Sequence, residues 1–80
     1  MVYTFSQNLK FYRVRKCITL KEMAEKLRVN PMTVWRWENN QRYPNIDVVY
    51  DIARILEIDV HKLLGEDKYI SYQVNDGDSG

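Results

Sequence analysis

The chain has 80 residues, 45% of them hydrophobic and 29% charged, a mixture that suits one small globular domain and leaves no room for a second domain or a deep substrate cleft. No apolar run approaches the roughly 18 residues of a membrane span, and the first residues lack the continuous apolar stretch of a secretory signal, so a cytoplasmic protein without membrane contact is expected. A single cysteine, Cys17, and a single histidine, His61, exclude an internal disulfide and a structural zinc set, so no metal and no cofactor are expected.

All three glycines lie at or after Gly65, and the two prolines are Pro31 and Pro44, so residues 5–64 read as closely spaced helices with short connections. The first helix is expected over residues 6–16, with Ser6 as N-cap and Phe5, Leu9, Tyr12 and the stem of Lys16 along one stripe. Cys17, near that helix end and with no redox partner in view, is expected to be small and partly buried. Thr19 followed by Glu22 is a capping-box pattern, and Leu20, Met23, Ala24 and Leu27 then recur at the spacing of one buried helical face.

Residues 28–30 form a short break, after which Asn30 suits an N-cap and Pro31 the first helical position. The third helix runs over residues 31–39. It stops at Asn39 and Asn40, because asparagine tolerates the left-handed conformation that glycine usually supplies. Residues 41–44 form a loop. Asn45 caps a fourth helix to residue 57 with Ile46, Val49, Ala53 and Leu56 inward, and Asp59 caps a short fifth helix ending at Gly65. The folded domain is therefore expected over residues 5–65. Residues 66–80 are a tail with some β character at 69–74, expected to be partly disordered or to contact a second copy.

Charge is divided unevenly along the chain. Residues 1–45 hold nine basic and three acidic residues, a net of +6, whereas residues 46–80 hold three basic and eight acidic ones, a net of −5. The overall +1 thus conceals a dipolar molecule whose N-terminal half can face a polyanion.

Two short helices joined by a three-residue break, the first with a small Ala24 in mid-helix and the second exposing a polar face, make a helix-turn-helix layout. Over residues 9–64, about seventy per cent of the chain, the sequence resembles the XRE family, the phage repressor and Cro type of helix-turn-helix protein. The residues that carry the resemblance are Arg13, Thr19, Met23, Ala24, Leu27 and Val29, then Val34, Trp37, Glu38, Pro44, Ala53, Leu56, Leu63 and Leu64. It implies an all-α fold, a compact five-helix lambda-repressor-like domain with helices two and three as the DNA-binding unit. It also implies that Arg13 and Glu38 pair as a partly buried salt bridge, in which case Glu38→Ala costs on the order of 2 to 4 kcal/mol.

On the third helix Val34 and Trp37 point inward, leaving Met32, Thr33, Trp35 and Arg36 as candidate base readers. Arg36 leads them, because its fork can donate to both N7 and O6 of guanine. Thr33 can meet a base edge or a thymine methyl, and Met32 offers apolar contact only. Trp35 has two open roles, along the sugar and backbone or in a dimer or loop surface. Phosphate contacts that set the docking fall to Thr19, Lys21, Asn39, Gln41, Arg42 and Tyr43, at the start of helix two and after helix three. Four positions depart from the family pattern: Leu20 stands where glutamine is frequent, Pro31 and Met32 stand where polar residues are, and Asn40 stands for the usual glycine.

The leading expectation is a sequence-specific regulator of transcription on double-stranded DNA, a repressor or autoregulator, reading the major groove with helix three. Ile52, Ile55, Ile58, Val60 and residues 69–74 offer apolar surface for a homodimer on a palindromic operator, or else complete the core. The alternative is a protein-interaction module such as an antitoxin or anti-regulator, favoured by Met32 and Trp35. An enzyme is not expected, since His61 has no neighbouring nucleophile and no glycine-rich cofactor loop exists, and no small-molecule ligand is foreseen.

Overall fold

A computed structural model describes residues 4–65, which form five α-helices: α1 (Phe5–Arg15), α2 (Leu20–Leu27), α3 (Pro31–Glu38), α4 (Ile46–Leu56) and α5 (Val60–Leu64). Among the described residues there is no strand, and residues 69–74 lie outside them. The helix starts follow local chemistry. Thr19 accepts from the Glu22 N–H at 3.0 Å while Glu22 accepts from the Thr19 N–H at 2.8 Å. Asn30, Asn45 and Asp59 cap α3, α4 and α5 in the same sense, satisfying first-turn donors that have no intrahelical acceptor.

The start of α1 differs from the sequence expectation. Thr4, not Ser6, is the N-cap, in a capping box with Gln7. Ser6 sits within the helix and is buried, and its hydroxyl donates to the Trp37 carbonyl at 2.5 Å.

The helix ends share one solution. Cys17, Arg28, Asn40 and Glu57 all have φ near +60°. In each case the next residue donates back to a carbonyl five positions earlier: Ile18 to Arg13, Val29 to Ala24, Gln41 to Arg36 and Ile58 to Ala53. This is the Schellman closure, here built mostly without glycine. Cys17 is consequently exposed, against the expectation of partial burial: a residue at the left-handed position of the turn follows the backbone outward.

The core gathers Phe5 and Leu9 from α1, Met23 and Ala24 from α2, Val34 and Trp37 from α3, Val49, Ile52, Ala53 and Leu56 from α4, and Leu63 and Leu64 from α5. Helices α2 and α3 pack on each other, α1 lies against α3 and α5, and α4 against α2 and α5. Ile52 is fully buried in this core, so it does not belong to a dimer surface; it lies three residues after Val49 and four before Leu56, on the same stripe. Ile55, Ile58 and Val60 are half-buried against the core. Asn8 is buried and donates to the Leu63 carbonyl at 3.1 Å, tying α1 to the last turn of α5.

Candidate nucleic-acid interface

The orientation of α3 is set from both ends. Ala24 is almost wholly buried, and its lack of a larger side chain lets α3 cross close over α2. At the turn, Arg28 takes φ +60°, Val29 returns to the Ala24 carbonyl at 3.0 Å, and Asn30 accepts from the Met32 N–H at 2.8 Å. At the far end, Ser6 holds the Trp37 carbonyl. Beside it, Arg13 grips Glu38 through Nε to Oε2 at 2.5 Å and a second nitrogen to Oε1 at 3.1 Å, while donating to the Ile18 carbonyl at 2.7 Å. The Glu38 side chain is 3% exposed and that of Arg13 11%, so the pair is shielded from solvent screening.

With Val34 and Trp37 anchored inward, the outer face of α3 carries Met32, Arg36 and Asn39 at i, i+4 and i+7, with Trp35 beside them, all exposed. Met32 is 50% and Trp35 39% exposed, an uncommon display of large apolar groups on a short helix. Asn39 Nδ2 donates to the Trp35 carbonyl at 2.8 Å. Thr33 is half-buried and turns to the flank, where it lines a groove of about 420 Å³ together with Arg36, Arg42, Tyr43, Pro44 and Asn45. Met32 and Trp35 do not line that groove.

The loop after α3 is folded by its own contacts. The Gln41 N–H donates to the Arg36 carbonyl at 2.9 Å, which closes the helix, and the Tyr43 hydroxyl donates to Asn40 Oδ1 at 2.8 Å. Gln41 and Arg42 are exposed and Tyr43 is half-buried. Two groove residues, Asn30 and Asn45, escaped the sequence reading as site residues. Each was legible as an N-cap, but their convergence on Arg36 depends on the loop bringing the start of α4 beside α3.

At the start of α2, Thr19 and Lys21 are exposed. The capping box engages the N–H groups of Thr19 and Glu22, so the donors left at that open helix end are those of Leu20 and Lys21. The Thr19 N–H beside Glu22, helped by the Thr19 hydroxyl and by Lys26, holds the Glu22 carboxyl below its ordinary range.

Comparison with known proteins places this geometry among relatives. Residues 6–66 match the family model described as a helix-turn-helix domain. The HTH-type transcriptional activator BcrR of Enterococcus faecalis is 27% identical over 67 residues, covering 84% of this chain. The chain spans about a third of the length of that curated relative, 33%. Among solved structures, that of SinR, the master regulator for biofilm formation, in complex with DNA superposes with a TM-score of 0.69 at 31% identity, covering 75% of this chain and 97% of the other. A SinR–SinI protein complex matches with a TM-score of 0.71 at 31% identity, covering 84% of this chain and 66% of the other.

Proposed function

The chain belongs to the XRE-type helix-turn-helix family, and from that premise we propose that it is a transcriptional regulator that binds double-stranded DNA with α3 in the major groove. The observation that carries the reading is the outer face of α3, where Arg36 stands exposed between Met32 and Asn39 on a helix held from beneath by Trp37 and by the Arg13–Glu38 pair. A rigid helix presenting one guanidinium and small or apolar neighbours suits base readout, in which Arg36 takes guanine while Thr33, Met32 and Trp35 meet thymine methyls or the sugar edge. Lys21, Arg42, Gln41, Tyr43, Asn39 and the start of α2 at Thr19 fix the docking on phosphates.

The protein acts by occupancy, as a repressor or autoregulator, and is a binding protein rather than an enzyme. It works as a homodimer through the acidic half, using the half-buried ridge of Ile55, Ile58 and Val60. Its two recognition helices then sit about 34 Å apart on a palindromic site. Selection of bound duplexes from a random pool tests the reading. Arg36→Ala is expected to lose roughly 1–3 kcal/mol of preference at one base step with little loss of nonspecific affinity, whereas Lys21→Ala weakens all duplexes alike and flattens the salt dependence.

A second reading, a module that grips a protein partner with α3, is favoured by the exposure of Met32 and Trp35 and by the relative solved with its SinI partner. Absence of duplex binding even at low salt selects it, since phosphate-driven association strengthens steeply as salt is removed.

A further inference from the structure

On α1, Phe11 is 53% and Val14 54% exposed, neither used by the interface described above, and Phe11 stands one turn after Asn8 on the flank turned toward α5. The Phe11 ring is framed rather than loose. Tyr12 meets it edge-on at 5.1 Å between centroids, and the Arg15 guanidinium lies 5.2 Å from its centroid. Gln7, Asn8, Phe11 and Tyr12 line a groove of about 350 Å³ there. Two buried groups of α1, Ser6 and Arg13, engage α3 on the other flank, so the groove is remote from the recognition helix.

We propose that the chain's own residues 66–74 fold back across this flank of α1 and cover Phe11 in the same molecule. Three observations select that occupant. The first is where the described chain ends: Asn8, a wall of the groove, is hydrogen-bonded to the Leu63 carbonyl in the last turn of α5. Gly65 then turns the backbone with φ 56° and ψ −121°, a conformation open essentially to glycine alone.

The second is reach. Phe11 lies about 4.5 Å along α1 from Asn8, and the five residues from 66 to 70 span up to about 17 Å when extended. The apolar residues that follow Gly65 are Tyr69, Ile70, Tyr72 and Val74, and none occurs in residues 75–80. The apolar side chains therefore begin where the groove comes within range.

The third is charge. Residues 5–16 contain Lys10, Arg13, Arg15 and Lys16 and no acidic residue, whereas residues 66–80 contain Glu66, Asp67, Asp76 and Asp78 against Lys68 alone. Arg13 and Lys16 are engaged by Glu38 and Glu57, whereas Arg15 stands over Phe11 and offers the opposite charge to Glu66 and Asp67, the first two residues after Gly65.

The test uses the full chain with Cys17→Ser and a nitroxide attached at Gln73→Cys. In a ¹⁵N-labelled, spin-tagged sample, the amide signals of residues 10–15 are expected to lose more than half their intensity. The same amides are expected to keep it when ¹⁵N chains without the tag are mixed with unlabelled tagged chains. Phe11→Ser, which leaves the core residues Phe5 and Leu9 intact, restores the signals in the first sample without changing the helical circular dichroism. Full intensity in the first sample overturns the proposal, and so does loss that appears in the mixture as well, which assigns the groove to a second copy. The outcome is independent of whether α3 reads DNA.

Discussion

Arg13 Nε lies 2.5 Å from Glu38 Oε2, and the same guanidinium donates to the Ile18 carbonyl at 2.7 Å. One side chain of α1 thereby fixes the end of α3 and the residue just before the N-cap of α2. In water such an ion pair contributes little, but with Glu38 at 3% exposure the cost of stranding one partner dominates.

Glu38→Ala is accordingly expected to destabilise the fold by about 3 kcal/mol, because it leaves a largely buried guanidinium with one carboxylate fewer. Arg13→Met combined with Glu38→Leu removes both charges and is expected to recover much of that loss, the non-additivity that a double-mutant cycle reads. Urea melts of the parent, Arg13→Met, Glu38→Leu and the double variant read the cycle, with Glu38→Ala melted beside them. A Glu38→Ala midpoint equal to that of the parent refutes the role given to the pair.

The helix terminations offer a gain rather than a loss. Cys17 closes α1 at φ 59°, a left-handed conformation costing a non-glycine residue roughly 1–2 kcal/mol, part of which glycine gives back in unfolded-chain entropy. Cys17→Gly is expected to stabilise by about 0.5–1 kcal/mol, a rise of several degrees in melting temperature for a domain of this size. Cys17→Ala is expected to change nothing, since alanine bears the same conformational cost, and equal melting temperatures for all three proteins sink the account.

What was legible in the sequence was local. Thr19 with Glu22, Asn30 before Pro31, Asn45 and Asp59 announce four helix starts, because a cap and its donors lie within three residues of each other. Apolar spacing likewise marked Met23, Ala24, Val34 and Trp37 as inward. Ser6 misled for the opposite reason: its hydroxyl serves a carbonyl 31 positions away, and no local pattern distinguishes a serine that caps its own helix from one that binds another. Asn8, whose partner is 55 positions off, was silent for the same cause. Ile52 fitted the core stripe of α4 and a dimer surface equally well until the depth of the pocket between helices was known. At the interface, the face of α3 followed from Val34 and Trp37, but the groove joining Arg36 to Asn30 and Asn45 is made by the path of the loop over residues 41–45.

The capping box of α2 makes a pH-dependent contribution whose sign is fixed by its geometry. Glu22 Oε1 accepts the Thr19 N–H at 2.8 Å, and that bond, then the Thr19 side chain and Lys26, lower the carboxyl pKa from its ordinary 4.5 in the folded state. A group whose pKa is depressed by folding stabilises the fold fully above its unfolded value, and the contribution is lost as the pH falls through the lower folded value. Glu22→Gln keeps an oxygen that can accept the same N–H but removes the charge. The parent is therefore expected to melt higher than Glu22→Gln near neutral pH, and the gap is expected to close as the pH falls through the depressed carboxyl range. Lys16 lowers Glu57 in the same direction, but that pair is solvent-exposed and common to both proteins, so it cancels in the difference. A gap that stays constant across the titration, or widens in acid, contradicts the assignment of this contribution to the ionised Glu22 carboxylate.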